Sequence, residues 1–411
     1  MRILWLKSEL LHPVDKGGRI RTYYMLRELR REHHVTYLAL DDGDAAPDAV
    51  ARSDEYCDTL IRVPFATTRK GTPAFYAELL RNLGSRLPYA IWKYQSPEMR
   101  TRIAQLSSRG EFDVMVCDFL APAVNVPASV RCPTVLFQHN VEATIWERHT
   151  ATARNPAARR YLRGQWRRMQ QFEREQCHRF DQVIAVSVED RDAMARDYGA
   201  VGVAAVPTGV DTAYYRSTGK LPRQPHELVF TGSMDWLPNQ DGILHFVNQV
   251  LPSVRAAVPD VTLTVVGRNP PARIRELAER DPSVRVTGRV DDVRPFIERA
   301  AVFVVPLRIG GGTRLKIFEA MAMDRPVVST TIGAEGLPVR DGEEILVADE
   351  PAELASAVVR LLNDPQMAAR IGARGGTLVR GEFGWDRVAD AFVEICARVA
   401  APPPSTVTTR A

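Results

Sequence analysis

A chain of 411 residues is longer than one hydrophobic core usually supports, so two domains are expected. Hydrophobic content of 45% and charged content of 25% are those of an ordinary globular protein, and a net charge of +4 lacks the basic footprint of a dedicated nucleic-acid binder. The five cysteines contain no Cys-x-x-Cys pair and no metal-ligand spacing, so they read as reduced thiols of a cytosolic protein.

The start, Met1-Arg2-Ile3-Leu4-Trp5-Leu6-Lys7, has too short an apolar core for a secretory leader. No run approaches the ~20 apolar residues of a membrane span. A cytoplasmic protein is expected. Short apolar runs then alternate with longer helical patterns. Strands are expected at Arg2–Leu6, Val35–Leu40, Thr59–Val63, Val114–Cys117, Thr134–Gln138, Gln182–Val186 and Val203–Val206, with helices such as Arg19–Glu32 and Tyr161–Arg179 between them. A second series follows, with strands at Glu227–Thr231, Thr262–Val266, Val284–Thr287, Val302–Val305, Pro326–Ser329 and Glu344–Val347. Such alternation argues for parallel sheets built from right-handed crossovers. Two series make two doubly wound α/β domains. The breaker-rich stretch Ser217–Pro225 marks the boundary, giving domains at 1–216 and 217–384. The tail 401–411, with three consecutive prolines, is expected to be disordered.

In open α/β sheets, ligands bind beyond the carboxyl ends of strands. Several polar clusters fall there. Gly17 and Gly18 follow the first strand and open a helix, where a phosphate or sugar can approach the backbone. The Asp42-Gly43-Asp44 triplet after the second strand reads as a solvated turn rather than a metal site. Gln138-His139-Asn140-Val141-Glu142 closes the fifth strand and is either polar hardware for a ligand or a satisfied loop. Two segments carry aromatics among basic residues: 69–109, with Phe75, Tyr76 and Trp92, and Tyr161–Arg179, with Arg163, Arg167, Arg168 and Arg174. These are either a surface for anionic lipid headgroups or a solvated face.

The most informative stretch runs from Pro306 to Ala322. An apolar strand ends in Gly310, Gly311 and Gly312, and a helix opens at the N-cap candidate Thr313. Glycines and free N–H groups at a helix start favour an anion, and Arg314 and Lys316 add positive charge suited to phosphate. Glu319 lies three residues past Lys316 on the same helix face, where a carboxylate suits the two hydroxyls of a ribose. Diphosphate above and diol below describe a nucleotide. The spacing is not that of a Walker A loop, because Ile317 follows Lys316.

These residues resemble the retaining, nucleotide-sugar-dependent glycosyltransferases of the GT-B fold, family 4. The similarity covers about residues 1–395 and is strongest from Gly310 to Met323 with Pro326-Val327-Val328-Ser329. Gly17-Gly18, Gln138-His139-Asn140, Pro207-Thr208-Gly209-Val210-Asp211, Phe230-Thr231-Gly232-Ser233, Val265-Val266-Gly267 and Gly288-Arg289-Val290 match in order as well. The resemblance implies two Rossmann-like domains facing a cleft, the N-terminal one binding acceptor and the C-terminal one nucleotide sugar. It also implies a last helix, about Gly384–Val399, that crosses back to the first domain. Glu319 would bind the ribose. Gly310, Gly311, Gly312 and Thr313 would lie against the diphosphate and sugar, Val290 near the base, and Gly17 and Gly18 against the phosphates. His139 would contact the donor sugar near the reacting carbon and is the expected catalytic residue.

Three departures stand out. Gly311 occupies the position of the first of two family glutamates, the one that holds the donor sugar. Ser233 and Asn239 stand where the family carries Arg and Lys, so Arg314 and Lys316 are expected to supply the missing charge. Thr208 replaces a usual Asn. The resulting expectation is a metal-independent hexosyltransferase that moves a sugar from a UDP- or GDP-linked donor to a glycan or lipid-linked acceptor. Surface polysaccharide or glycoconjugate synthesis is its expected setting, with peripheral contact at an anionic membrane and no nucleic acid. The alternatives are a nucleotide-sugar epimerase of the same fold and a non-catalytic nucleotide-sugar binder.

Overall fold

The computed structural model describes residues 1–153, 155–309 and 315–401. The tail expected to be disordered lies outside the described residues from 402 onward. The chain divides into two compact units: Met1–Pro207 with the chain from Val388 onward, and Thr208–Arg387.

The first unit holds a seven-stranded sheet of β1 (Arg2–Lys7), β2 (His34–Asp41), β3 (Thr59–Pro64), β4 (Val114–Asp118), β5 (Thr134–Gln138), β6 (Gln182–Ala185) and β7 (Ala204–Ala205). Their order is β3-β2-β1-β4-β5-β6-β7, and every pairing is parallel. Such strands are covered on both faces, which is why they appear in the sequence as unbroken apolar runs. Alternate residues point to opposite faces. Leu4, Leu6, Met115, Cys117 and Leu136 enter one core with Met169 and Phe172 of the helix Pro156–Arg179. Trp5 and Phe137 face the other side, where Phe392 of the C-terminal helix Trp385–Ala400 packs 5.6 Å and 5.1 Å from them, ring centre to ring centre. From Val388 onward the last helix therefore belongs to the first unit.

The second unit holds β8 (Glu227–Thr231), β9 (Thr262–Val266), β10 (Val284–Gly288), β11 (Val302–Val305), β12 (Val327–Ser329) and β13 (Leu346–Val347). The order is β10-β9-β8-β11-β12-β13, again all parallel. Both sheets reverse strand order once, between β1 and β4 and between β8 and β11. A parallel sheet leaves an open crevice at the carboxyl ends of such a pair.

The division falls at Pro207–Thr208, ahead of the expected 216–217 boundary. The segment just after it is pinned to the second unit by backbone contacts: the Val210 N–H donates to the Phe383 carbonyl at 2.7 Å, and Val210 bridges Gly384. Gly209 fits because it lacks a Cβ, which would stand 2.6 Å from the Trp385 ring.

Candidate active site

In the first unit the polar residues gather at the β1–β4 switch point. Strand alternation sends Lys7, Asp118 and Trp5 to one face, together with Thr22 of the helix Gly17–Leu29. Asp118 is fully buried, and its Oδ2 accepts from Thr22 Oγ1 at 2.6 Å, Lys7 Nζ at 2.8 Å and Trp5 Nε1 at 2.9 Å. Its Oδ1 faces His139 Nε2 at 2.7 Å. That contact is close but lies off the direction of a linear hydrogen bond, and His139 Nδ1 has no partner. His139 is 1% exposed, and burial pulls its pKa down to about 3 despite the attraction of the Asp118 charge. Asp118 itself is held well below the usual carboxylate range by Lys7 and His139, although burial opposes this. His139 is therefore neutral near pH 7 and Asp118 ionised.

Gly17 opens its helix with no side-chain cap on Lys16, so first-turn N–H groups are available to an anion. Gly18 is required sterically: a Cβ there would lie 2.8 Å from the Phe119 ring. The loop that carries His139 is tied from the opposite face. Gln138 points away from His139 and donates through Nε2 to Glu173 Oε1 at 3.2 Å. Glu173 also accepts from the backbone N–H groups of Glu142 (2.9 Å) and Ala143 (3.0 Å), at the start of the helix Glu142–Thr152, and from the Tyr198 hydroxyl (2.6 Å).

In the second unit the β8–β11 switch point brings together Gly232, Ser233, Asn239 and Lys316. Lys316 Nζ donates to Asn239 Oδ1 at 2.9 Å and sits 4.1 Å from the centre of the Phe230 ring. Asn239 Nδ2 donates to the Ser233 carbonyl at 2.8 Å. Gly232 makes room for this group, since a Cβ would lie 2.5 Å from Lys316 Nζ and 2.7 Å from Asn239 Nδ2. Glu319 follows on the helix Leu315–Ala322. Burial raises its pKa, while a hydrogen bond from Tyr215 and the Lys316 charge pull it down. Val290 packs against the core edge of this unit, after Gly288 at φ 73°. Gly310, Gly311, Gly312, Thr313 and Arg314 lie outside the described residues.

The sequence offered no reason to single out Asp118, Phe119, Glu173, Arg268 or Tyr215. Arg268 donates through Nε to Ser233 Oγ at 2.9 Å, which brings a guanidinium beside the position where charge is absent from the local motif. Asp42-Gly43-Asp44 is a turn in which the Asp44 N–H donates to Asp42 Oδ1 at 3.1 Å. Among the described residues no group of three or more His, Cys, Asp or Glu side chains is placed to hold a metal ion.

Comparison with known proteins identifies the family and the fold. The family model described as Glycosyltransferase Family 4 matches residues 16–214, and that described as Glycosyl transferases group 1 matches residues 225–364. The chain is 30% identical over 203 residues to a phosphatidyl-myo-inositol mannosyltransferase of Mycobacterium leprae, covering 47% of this chain and 53% of that relative. The chain thus spans about half the length of that curated relative. Among solved structures, the sucrose-phosphate synthase of Thermosynechococcus elongatus superposes with a TM-score of 0.69 at 19% identity, covering 97% of this chain and 99% of the other. Anabaena HepE in complex with UDP gives 0.66 at 14% identity, covering 97% and 100%.

Proposed function

The chain belongs to glycosyltransferase family 4, and from that membership we propose that its second unit binds the nucleotide diphosphate of a UDP- or GDP-linked sugar donor. It is a glycosyltransferase of the GT-B fold, acting in glycoconjugate biosynthesis. The observation that carries the donor assignment is the set of Lys316, Asn239 and Gly232 at the β8–β11 switch point, with Glu319 three residues along the same helix. A cation held by Asn239 suits phosphate oxygens, and a carboxylate one turn away suits a ribose diol. A solved neighbour that binds UDP, Anabaena HepE, supports the same donor class. Breaking the anomeric bond builds negative charge on the leaving diphosphate, so fixed positive groups lower the barrier without a required metal. In the first unit, His139 is the group assigned to a sugar, beside the uncapped helix start at Gly17 and Gly18, which suits an anion. The transfer proceeds with retention, to a glycan or lipid-linked acceptor. The protein incubated with a panel of nucleotide sugars should release nucleotide diphosphate only when an acceptor is present. An isomerised donor, or binding without turnover, overturns this reading.

The first unit also carries a surface suited to a lipid-linked acceptor in an anionic membrane. On the helix Pro73–Leu83, Tyr76, Leu80 and Leu83 recur at helical spacing and are 57%, 68% and 53% exposed. Arg168 of the neighbouring Arg-rich helix donates to the Asn82 and Leu83 carbonyls at 2.8 Å, so that helix lies alongside. Exposed Arg81, Arg160, Arg163 and Arg167 supply positive charge. Apolar side chains rimmed by arginines match an interfacial headgroup layer. No described helix is long and apolar enough to cross a membrane. The protein should sediment with phosphatidylserine vesicles at low salt and dissociate as salt rises. Equal sedimentation of a Leu80→Ser/Leu83→Ser variant removes this surface.

A further inference from the structure

The assignment of His139 to the donor sugar leaves its proton unassigned, and the node around it decides the matter. Asp118 is fully buried and receives three donors on one oxygen, leaving the other oxygen 2.7 Å from His139 Nε2. Resting on that reading of His139, we propose that Asp118 and Phe119 are positioning residues that fix His139 as the neutral Nε2–H tautomer, with Nδ1 kept as a lone-pair acceptor for a hydroxyl of the sugar.

The charges support this. A carboxylate only accepts, so the proton between it and His139 belongs on Nε2. Lys7 already neutralises Asp118 inside the node. The other charged group facing it is Arg21, on the helix Gly17–Leu29, which is drawn to Asp118 and to Asp190 of the helix Val188–Tyr198. An imidazolium here would be a further buried cation beside Lys7 and Arg21 with no counter-ion of its own. That is the direction in which the His139 pKa moves. Both ring nitrogens are buried without an aligned hydrogen bond, but Nε2 has the Asp118 carboxylate 2.7 Å away, which leaves Nδ1 as the nitrogen open to a ligand donor.

Phe119 fixes the ring plane. It is a bulky residue at φ 74°, a conformation that side chains with a Cβ rarely adopt. Two contacts hold it there. Its N–H donates to the Phe137 carbonyl at 2.9 Å, and its ring stacks on His139 with centroids 3.8 Å apart. Lys7 Nζ lies 4.1 Å from the centre of the same ring. The absent Cβ of Gly18 leaves space for that ring, so Gly18 and His139 are coupled through Phe119.

The test is the ¹⁵N spectrum of full-length, histidine-labelled protein, with the His139 signals identified by their loss in His139→Gln. His139 is expected in the Nε2–H form, unchanged from about pH 5 to about pH 8. An Nδ1–H form, or titration in that range, overturns the proposal, and this measurement needs no Asp118 variant to fold. In Asp118→Asn the two tautomers should mix, and kcat should fall on the order of 10²-fold with the donor KM changed only a few-fold. Asp118→Asn with an unmixed tautomer and wild-type kcat also overturns it. Phe119→Gly, which accepts the backbone conformation, should lower kcat while keeping the tautomer; wild-type kcat there removes Phe119 from the device. If His139→Gln itself turns over normally, the site reading fails, whatever the spectrum shows.

Discussion

Lys316→Ala is expected to weaken binding of UDP or GDP by about 1–3 kcal/mol, roughly 5- to 150-fold in Kd, the range for a lost charge-assisted contact. The side chain is held rather than swinging in solvent: Asn239 Oδ1 accepts from it, and the Phe230 ring lies beneath it. Holding a cation in place lowers the ordering cost when a phosphate arrives. Structural damage should be small, because Asn239 keeps its bond to the Ser233 carbonyl. Lys316→Arg is expected to rescue little, since the ammonium occupies space opened by the missing Cβ of Gly232, and a planar fork has a different shape. Calorimetric titration with both nucleotides reads the effect directly. Unchanged affinity in the alanine variant removes Lys316 from the site, and with it the assignment of the β8–β11 crevice to the diphosphate.

The second large effect concerns Glu173 and stability. Burial pushes its carboxyl up to about 7, with the hydrogen bonds from Tyr198, Ala143 and Glu142 opposing. A carboxyl raised from an unfolded value of 4.5 binds a proton more tightly in the native state. It therefore contributes stability that is full below about pH 4.5 and is lost as pH rises through about 7. The size is about 3 kcal/mol at 1.36 kcal/mol per pKa unit. Glu173→Gln cannot titrate. The stability of wild type relative to this variant should thus fall by about 3 kcal/mol between about pH 4 and pH 8 in denaturant titrations. Parallel pH profiles for the two proteins would show that Glu173 titrates alike in the native and unfolded states, so that burial does not raise its pKa. The consequence reaches the site, because Glu173 anchors Gln138 on one side of His139 and the first turn of the following helix on the other.

Much of this architecture was readable beforehand, for a physical reason. Parallel strands buried on both faces must be apolar throughout, so Thr134–Gln138, Glu227–Thr231, Thr262–Val266 and Val302–Val305 form with the expected limits. Ends were less legible, because pairing rather than composition sets them. The run expected at Glu344–Val347 joins the sheet as a strand at Leu346–Val347. His139 was visible because three polar residues end an apolar run. Its supports were not, since Lys7, Thr22 and Asp118 meet across long separations in sequence. Glu173 was hidden differently: it sits in an Arg-rich helix whose pattern reads as a solvated face, yet it is 0% exposed. Arg268 likewise reaches Ser233 from another strand's loop. The glycine loop that spoke most clearly in the sequence lies outside the described residues, while Lys316 and Glu319, just past it, rest on a formed helix.

The alternation along β5 has one more outcome. Neighbours Gln138 and His139 serve opposite sides of a single sheet, one clamped to Glu173 and the other set against Asp118. Inserting or deleting one residue within Thr134–Gln138 would exchange the two sides, burying an amide against a carboxylate built for imidazole and stranding the imidazole among loop anchors. Length variation among descendants of this chain should therefore fall after the helix that begins at Glu142, never within the strand before it.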